Sequence, residues 1–369
     1  MNSKLKNIII SVNFVFVLLG FMIANIVLKD KQISFEERRK LAQYPKFTME
    51  TLISGEYFQE IEDYFLDQFS LRQDFRKIKS YINTNIFKQK DNNDIYIIGE
   101  SIFKMEYPLN ENSIYNSAIL YNKISSTYFK NSNIYYTIVP DKNYFVPKDK
   151  GYLSLDYEKL VDIMNKNTEN MKYIDIINDL NISDYYNTDL HWKQEKLLPV
   201  ANNILTAMKN KVANYKYERN EFKPFYGSYY GQAATNINPD KLVYLNNSII
   251  ENCKVYDYEK QKYIKIYDDE NFNNVDSYDV YLGGAKPLLS IENPNNSGKE
   301  LYIFRDSFGS SLSPLLISEY SKIILIDLRY INSIEFEKYI QPKDNSDVLF
   351  MYNTLILNNS NIITKFFAN

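Results

Sequence analysis

Leu301-Tyr302-Ile303-Phe304-Arg305-Asp306-Ser307-Phe308-Gly309 is the stretch on which the fold turns. Its first four residues are an unbroken apolar run, the pattern of a strand covered on both faces rather than one that meets water. The run breaks at Asp306-Ser307, and Ser310 and Ser311 lead into a segment that reads as a helix. A serine at the carboxyl end of a parallel strand stands where open α/β sheets place their sites, and the amides of a following helix can stabilise an oxyanion. Asp and Ser are also favoured helix caps. On this stretch alone, a nucleophile and a simple cap are both open readings of Ser307.

Outward from it, Ile95-Tyr96-Ile97-Ile98, Ile134 to Val139, Ile323 to Ile326 and Val348 to Tyr352 have the same character, each bounded by polar turns. Several are separated by enough chain for a crossover helix, so the expected class is α/β, a mainly parallel sheet with flanking helices. Residues 210–274, rich in Tyr, Asn and Lys, read as an irregular insertion beside the site.

Upstream, the run from Ile8 to Leu28 matches the roughly 20 residues that a transmembrane helix needs, with Lys4 and Lys6 before it. No convincing small-x-small cleavage site follows, which favours an uncleaved anchor over a signal peptide. The expected organisation is a cytoplasmic tip and signal anchor over residues 1–29, a helical membrane-proximal segment over 30–92, and an outward-facing α/β domain over 93–369. Within the middle segment, Phe35 to Ala42 reads as polar and mostly helical. Glu60 to Leu66 and Phe75 to Ile82 carry apolar residues at three- and four-residue spacing.

Composition removes several classes of function. A net charge of -3 with dispersed lysines provides no basic patch for a phosphate backbone, so no nucleic-acid partner is expected. Cys253 is the only cysteine and His191 the only histidine, which excludes an intramolecular disulfide and a thiolate zinc cage and makes a metal site improbable on ligand supply. No cofactor is expected either. The 34 tyrosines suit an AT-rich genome better than a dedicated sugar-binding surface.

A serine nucleophile needs a base, and His191 is the one imidazole available. It lies in Tyr185-Tyr186-Asn187-Thr188-Asp189-Leu190-His191-Trp192, with a carboxylate two positions before it. An imidazole can take the serine proton when an acceptor holds its other nitrogen, a role that suits Asp189. A lone histidine beside a core tryptophan accounts for the same residues without chemistry.

Asp189-Leu190-His191-Trp192 resembles the Asp-His-His-Trp signature of the DHHW family, with Leu190 departing from the first histidine. Other pieces fall in that family's order: Glu36 to Ala42 with Pro45; Gly55-Glu56-Tyr57, then Asp67 to Arg72; Val139-Pro140-Asp141-Lys142; Gly227-Ser228-Tyr229-Tyr230-Gly231; Arg305 to Gly309; and Ile326 to Tyr330. The resemblance covers nearly all of the chain beyond the anchor. That family is similar to the alginate O-acetylation proteins, so the resemblance implies an SGNH-hydrolase-like fold with Ser307 as nucleophile, His191 as base and Asp189 as its orienting partner, in the permuted order of that branch. Candidates for oxyanion or substrate contacts are the Ser307 amide, Arg329, Tyr330 or Asn353 near strand ends, and Trp192. The resemblance further implies acetyl transfer to a surface or secreted polysaccharide, with a membrane-bound O-acyltransferase as donor. A carbohydrate acetylesterase with the same triad, or a noncatalytic glycan-binding assembly protein, would share these features.

Overall fold

The computed structural model describes residues 3–367. They divide into two units, one comprising the chain up to Asn92 together with Gly231–Asn236, the other Asn93–Tyr230 and Ile237–Asn369.

The first unit begins with α1, Ser3–Val27, whose 25 residues are long and apolar enough to cross a membrane. Phe35 to Ala42 is not helical. Arg38 takes a positive φ of 51°, and β1 (Ile33–Ser34) folds back on β2 (Arg39–Lys40). The turn is held by ions, because Glu37 binds Arg39, Arg72 and Arg76, and Asp67 takes both Arg39 and the Ala42 amide. Three helices follow: α2 (Met49–Ser54), α3 (Glu56–Gln68) and α4 (Arg72–Tyr81).

The second unit begins with a hairpin, β3 (Ile95–Ile98) and β4 (Ser101–Lys104). The run at Ile95 therefore pairs locally and is not part of the main sheet. Gly99, at a φ of 61°, turns the chain back within two residues, which is too short for a parallel crossover.

The main sheet has eight strands in the order β10-β9-β11-β13-β12-β14-β5-β6. They are β5 (Asn133–Val139), β6 (Lys172–Tyr173), β9 (Lys254–Asp257), β10 (Lys262–Ile264), β11 (Leu288–Glu292), β12 (Glu300–Arg305), β13 (Lys322–Ile326) and β14 (Asp347–Asn353). From β13 to β6 all pairs are parallel; β11, β9 and β10 add an antiparallel edge. Leu301 and Ile303 of β12 enter one apolar cluster with Leu312 and Leu315, while Tyr302 and Phe304 enter another with Ile114 and Tyr121. Burial on both faces is what its unbroken apolar run anticipated. Helices α5 (Glu111–Tyr128) and α6 (Tyr157–Asn167) supply residues to the second cluster, and α7 (Leu198–Ala207) to the first.

Residues 210–274 are ordered rather than irregular. Strands β7 (Glu218–Phe225) and β8 (Asp240–Asn246) pair antiparallel, with α8 (Ser228–Ala233) between them and α9 (Ser248–Asn252) after. Phe225, Leu242, Tyr244, Tyr278 and Tyr281 form a third cluster, so here tyrosines act as core residues. The last helices are α10 (Phe308–Leu316), α11 (Ser333–Tyr339) and α12 (Thr354–Asn358).

Candidate active site

The chain leaves β12 at Arg305 and enters α10 at Phe308, which puts Ser307 on the helix cap. Asp306 shapes the turn: its Oδ1 accepts the Phe308 amide at 3.0 Å, and its Oδ2 accepts the Asn353 amide at the end of the parallel neighbour β14 at 2.7 Å. Asp306, not Ser307, is therefore the residue whose side chain caps α10. Burial pushes the Asp306 carboxyl above the usual range, against the pull of Arg329 and of these two amides. Gly309 is required by close approach, since a Cβ there would stand 2.8 Å from the Arg305 Cβ. The Ser307 side chain takes no part in the cap, and it is half-buried.

His191 arrives from a loop closed by a bridge between Tyr185 and Trp192 and by the Tyr186 amide donating to the His191 carbonyl at 3.1 Å. Inside that loop, Asp189 Oδ1 accepts both the His191 amide at 2.9 Å and Nδ1 at 2.6 Å. Its Oδ2 accepts the Ser228 amide at 2.6 Å. With Nδ1–H committed to a carboxylate, the network assigns Nε2 as the acceptor, and Nε2 lies 2.7 Å from Ser307 Oγ. Asp189 is fully buried and His191 only 5% exposed, so the pair is shielded from water while the serine remains accessible.

The loop is held from several sides. Lys142 Nζ donates to the carbonyls of Ile102, Tyr186 and Asn187 at 2.5, 2.8 and 3.1 Å, and the Asp189 carbonyl lies at 3.3 Å. Burial pushes this lysine down to about 7, opposed by the charges of Asp189 and Asp240. Asp240 accepts the amides of Asn187 and Thr188 and the Thr188 hydroxyl. Gly227 packs so close that a Cβ there would stand 2.3 Å from both the Asp189 Cβ and the Thr188 carbonyl. Over the imidazole, the Tyr278 ring stacks at 3.9 Å and 8°, and its hydroxyl donates to Ser311 Oγ.

Sequence reasoning assigned no role to Lys142, Asp240, Gly227 or Tyr278. Lys142 and Gly227 stood in the ordered motifs, which was the available signal; Tyr278 was one tyrosine among 34. Of the four further contacts expected, none hydrogen-bonds Ser307. Arg329 is chelated by Asp327 at 2.9 and 2.6 Å, and Tyr330, half-exposed, lies against that guanidinium. The Asn353 side chain caps α12 through the Leu355 amide and donates to the Val139 carbonyl. Trp192 is buried, its Nε1 donating to Ser311 Oγ at 2.9 Å and to the Phe308 carbonyl at 3.2 Å. These residues build the frame of the site. Among the described residues no three of His, Cys, Asp and Glu gather as metal ligands would.

No family model and no curated protein matches the sequence. Solved structures do share its fold. A DHHW family protein from Eubacterium siraeum is 20% identical with a TM-score of 0.62, over 76% of this chain and 97% of that one. PatB1 of Bacillus cereus, solved with a sulfonyl adduct, is 18% identical with a TM-score of 0.57, over 71% and 97%. The O-acetyltransferase domain of Pseudomonas putida AlgJ is looser, at 10% identity and a TM-score of 0.44 over 72% and 92%. The chain thus resembles a DHHW family protein, with an α/β fold built on a mostly parallel sheet.

Proposed function

We propose that this chain is a membrane-anchored, extracytoplasmic O-acetyltransferase that carries acetyl on Ser307 and delivers it to hydroxyls of a cell-surface or secreted polysaccharide. The observation that carries the reading is the continuous line from Asp189 through His191 to Ser307, at 2.6 and 2.7 Å, at the head of α10. The likeness in fold to a DHHW family protein supports it.

In the first half-reaction, His191 Nε2 takes the Ser307 proton as Oγ bonds to the acetyl carbon. Asp189 holds the imidazolium that forms. The Phe308, Gly309 and Ser310 amides are used within the turn, which leaves the Ser307 amide as the backbone donor to the developing oxyanion. The donor's oxygen leaves with the proton from His191. In the second half-reaction a sugar hydroxyl gives its proton to His191, attacks the acetyl carbon, and Ser307 Oγ departs and is reprotonated. Acetyl-CoA is cytosolic, so an outward-facing enzyme anchored by α1 requires a membrane-bound O-acyltransferase to pass acetyl outward.

The test uses the full chain, an activated acetyl ester and a polysaccharide acceptor, read by intact mass and by glycan mass spectrometry. Acetyl is expected on Ser307 and then on glycan. Ser307→Ala and His191→Ala are each expected to lower turnover by about a thousandfold or more, the scale of removing one member of a working triad. Sulfonyl reagents report activated nucleophiles, and one should label Ser307 only while His191 is present. Acetate release indifferent to every acceptor would replace transfer by the esterase reading. Full activity in both variants would remove the catalytic reading altogether.

A further inference from the structure

Helix α4 is amphipathic in the reverse sense for a helix in water. Its polar side, Gln73, Arg76 and Ser80, is the packed one: Arg76 donates to the Gly231 carbonyl at 2.8 Å and to Gln73, and buried Ser80 donates to the Ala233 carbonyl at 2.9 Å. At 3.6 residues per turn, Phe75 and Ile78 lie on the opposite side, flanked by Leu71 at the cap before α4 and Ile82 just beyond its end. Leu71, Phe75 and Ile78 are 62%, 45% and 53% exposed. A globular protein normally turns such a stripe inward.

The same unit shows what covers it. The link between α3 and α4 packs along the last turns of α1: Phe21 of α1 stacks on Phe69 at 5.4 Å and touches Phe75 at 5.6 Å. Asn25 Oδ1 accepts the Ser70 amide and hydroxyl. Higher up, Gln68 exchanges hydrogen bonds with the backbone of Lys31, just beyond the helix. Phe21 lies six positions inside the end of α1 at Val27, about 9 Å along the axis. If α1 spans, Phe69, Leu71 and Phe75 are level with lipid.

We propose that α4 lies in the outer face of the membrane that α1 crosses, with Leu71, Phe75, Ile78 and Ile82 set among the acyl chains. Interfacial helices carry Phe and Leu on the face they bury, ~5–10 Å into the headgroup–acyl boundary. Arg72 and Arg76 are taken up by Glu37, but Lys77 and Lys79 are exposed on either side of the stripe and suit anionic headgroups. Phe58 and Phe65 of α3, both exposed, add to the same apolar character. This inference takes α1 as a span and is independent of the chemistry at Ser307.

The experiment places an environment-sensitive fluorophore on Leu71→Cys or Ile78→Cys, each in a Cys253→Ser full-length background, reconstituted in phosphatidylcholine and phosphatidylglycerol vesicles. Emission is expected to shift to the blue, to lose most of its intensity to nitroxide lipids labelled near the headgroup, and to resist aqueous iodide. Quenching by iodide with none by nitroxide lipid overturns the proposal. Protection from both overturns it too, by showing that protein covers the stripe. Two separate labelling positions, each with its melting checked, keep one misfolded variant from deciding the result.

Discussion

At the imidazole, Tyr278 is the contact that separates a held ring from a merely nearby one. Its ring lies parallel to His191, against a face of the imidazole whose edge bonds Asp189 and Ser307, so it limits rotation of the imidazole out of line. An aromatic pair of this kind is worth ~0.5–1.5 kcal/mol, or about a tenfold change in rate at its upper end. Tyr278→Leu should therefore lower kcat by about tenfold with KM little changed. Tyr278→Phe, which keeps the stack and loses only the bond to Ser311, should retain most of the activity. Equal losses in the two variants, tracking their melting temperatures, would assign Tyr278 to packing alone. The residues of the line itself were legible because the composition left no choice: one histidine, a carboxylate two positions away, and a serine where an apolar strand stops. Tyr278 was not, because a ring stacked across the site from a distant loop leaves no local pattern. The surroundings of the further candidates were hidden for a related reason. Arg329 and Asn353 do stand at strand ends, but their side chains are engaged by Asp327 and by the start of α12, which only the fold reveals.

At the scale of elements, the strands that read clearly were those buried on both faces, such as β5, β12, β13 and β14, whose apolar runs need no partner to be recognised. Strand β11 escaped because Ser290 interrupts a run of only five residues, and β3 was assigned to the wrong sheet because pairing is decided by turn length, not by the run itself. The loop from Tyr185 to Trp192 depends on elements far from it in sequence, and Lys142 is the main clasp. Lys142→Met strips a donor from the carbonyls of Ile102, Tyr186 and Asn187, of which the Asn187 carbonyl keeps the Ile102 amide. Each buried carbonyl left without a partner costs ~1–3 kcal/mol, partly offset by no longer burying an amine, so a net loss of about 2–4 kcal/mol at pH 7.5 is expected in denaturant unfolding. The pH dependence has a definite sign. Folding lowers this lysine from its ordinary ~10.4 to about 7, so between those values the unfolded chain holds a proton that the folded chain lacks. That contribution is complete above the unfolded value and is lost as pH falls through the folded one. The stability gap between the native chain and Lys142→Met should accordingly widen from pH 7.5 to 9.5, by up to about 1.4 kcal/mol per unit. A constant gap would mean that the carbonyls keep the ammonium charged throughout. Gly227→Ala belongs at this scale too. Its Cβ would meet the backbone of Thr188 and the side chain of Asp189, so activity should fall further than stability, with Gly227→Ser no better.

For the whole molecule, the division at Asn92 has one complication: Gly231–Asn236 belongs with the amino-terminal unit although the chain on either side of it belongs with the other. Gly231 is buried there, and a Cβ on it would stand 1.7 Å from the Glu36 carbonyl. The three apolar clusters, by contrast, draw only on residues of the second unit, so a fragment of residues 93–369 retains the whole core and should melt cooperatively. What it loses is the pair of hydrogen bonds from Arg76 and Ser80 to the carbonyls of Gly231 and Ala233. A backbone stretch without such anchors opens locally at little free energy, and exposed segments of that kind are where proteases cut. Limited proteolysis should therefore cleave the fragment within 231–236 and spare the full chain there. The consequence reaches the chemistry along the backbone, because Ser228, three residues before Gly231, supplies the amide that holds Asp189 Oδ2. With that amide less well fixed, the fragment should show a lower kcat toward an activated acetyl ester while keeping the melting behaviour of an intact core. Restoring residues 30–92 without α1 should recover both protection and turnover. A fragment as resistant and as active as the full chain would show that α8 needs no support from the amino-terminal unit, and that the Asp189 contact is fixed by Gly227 and Thr188 alone.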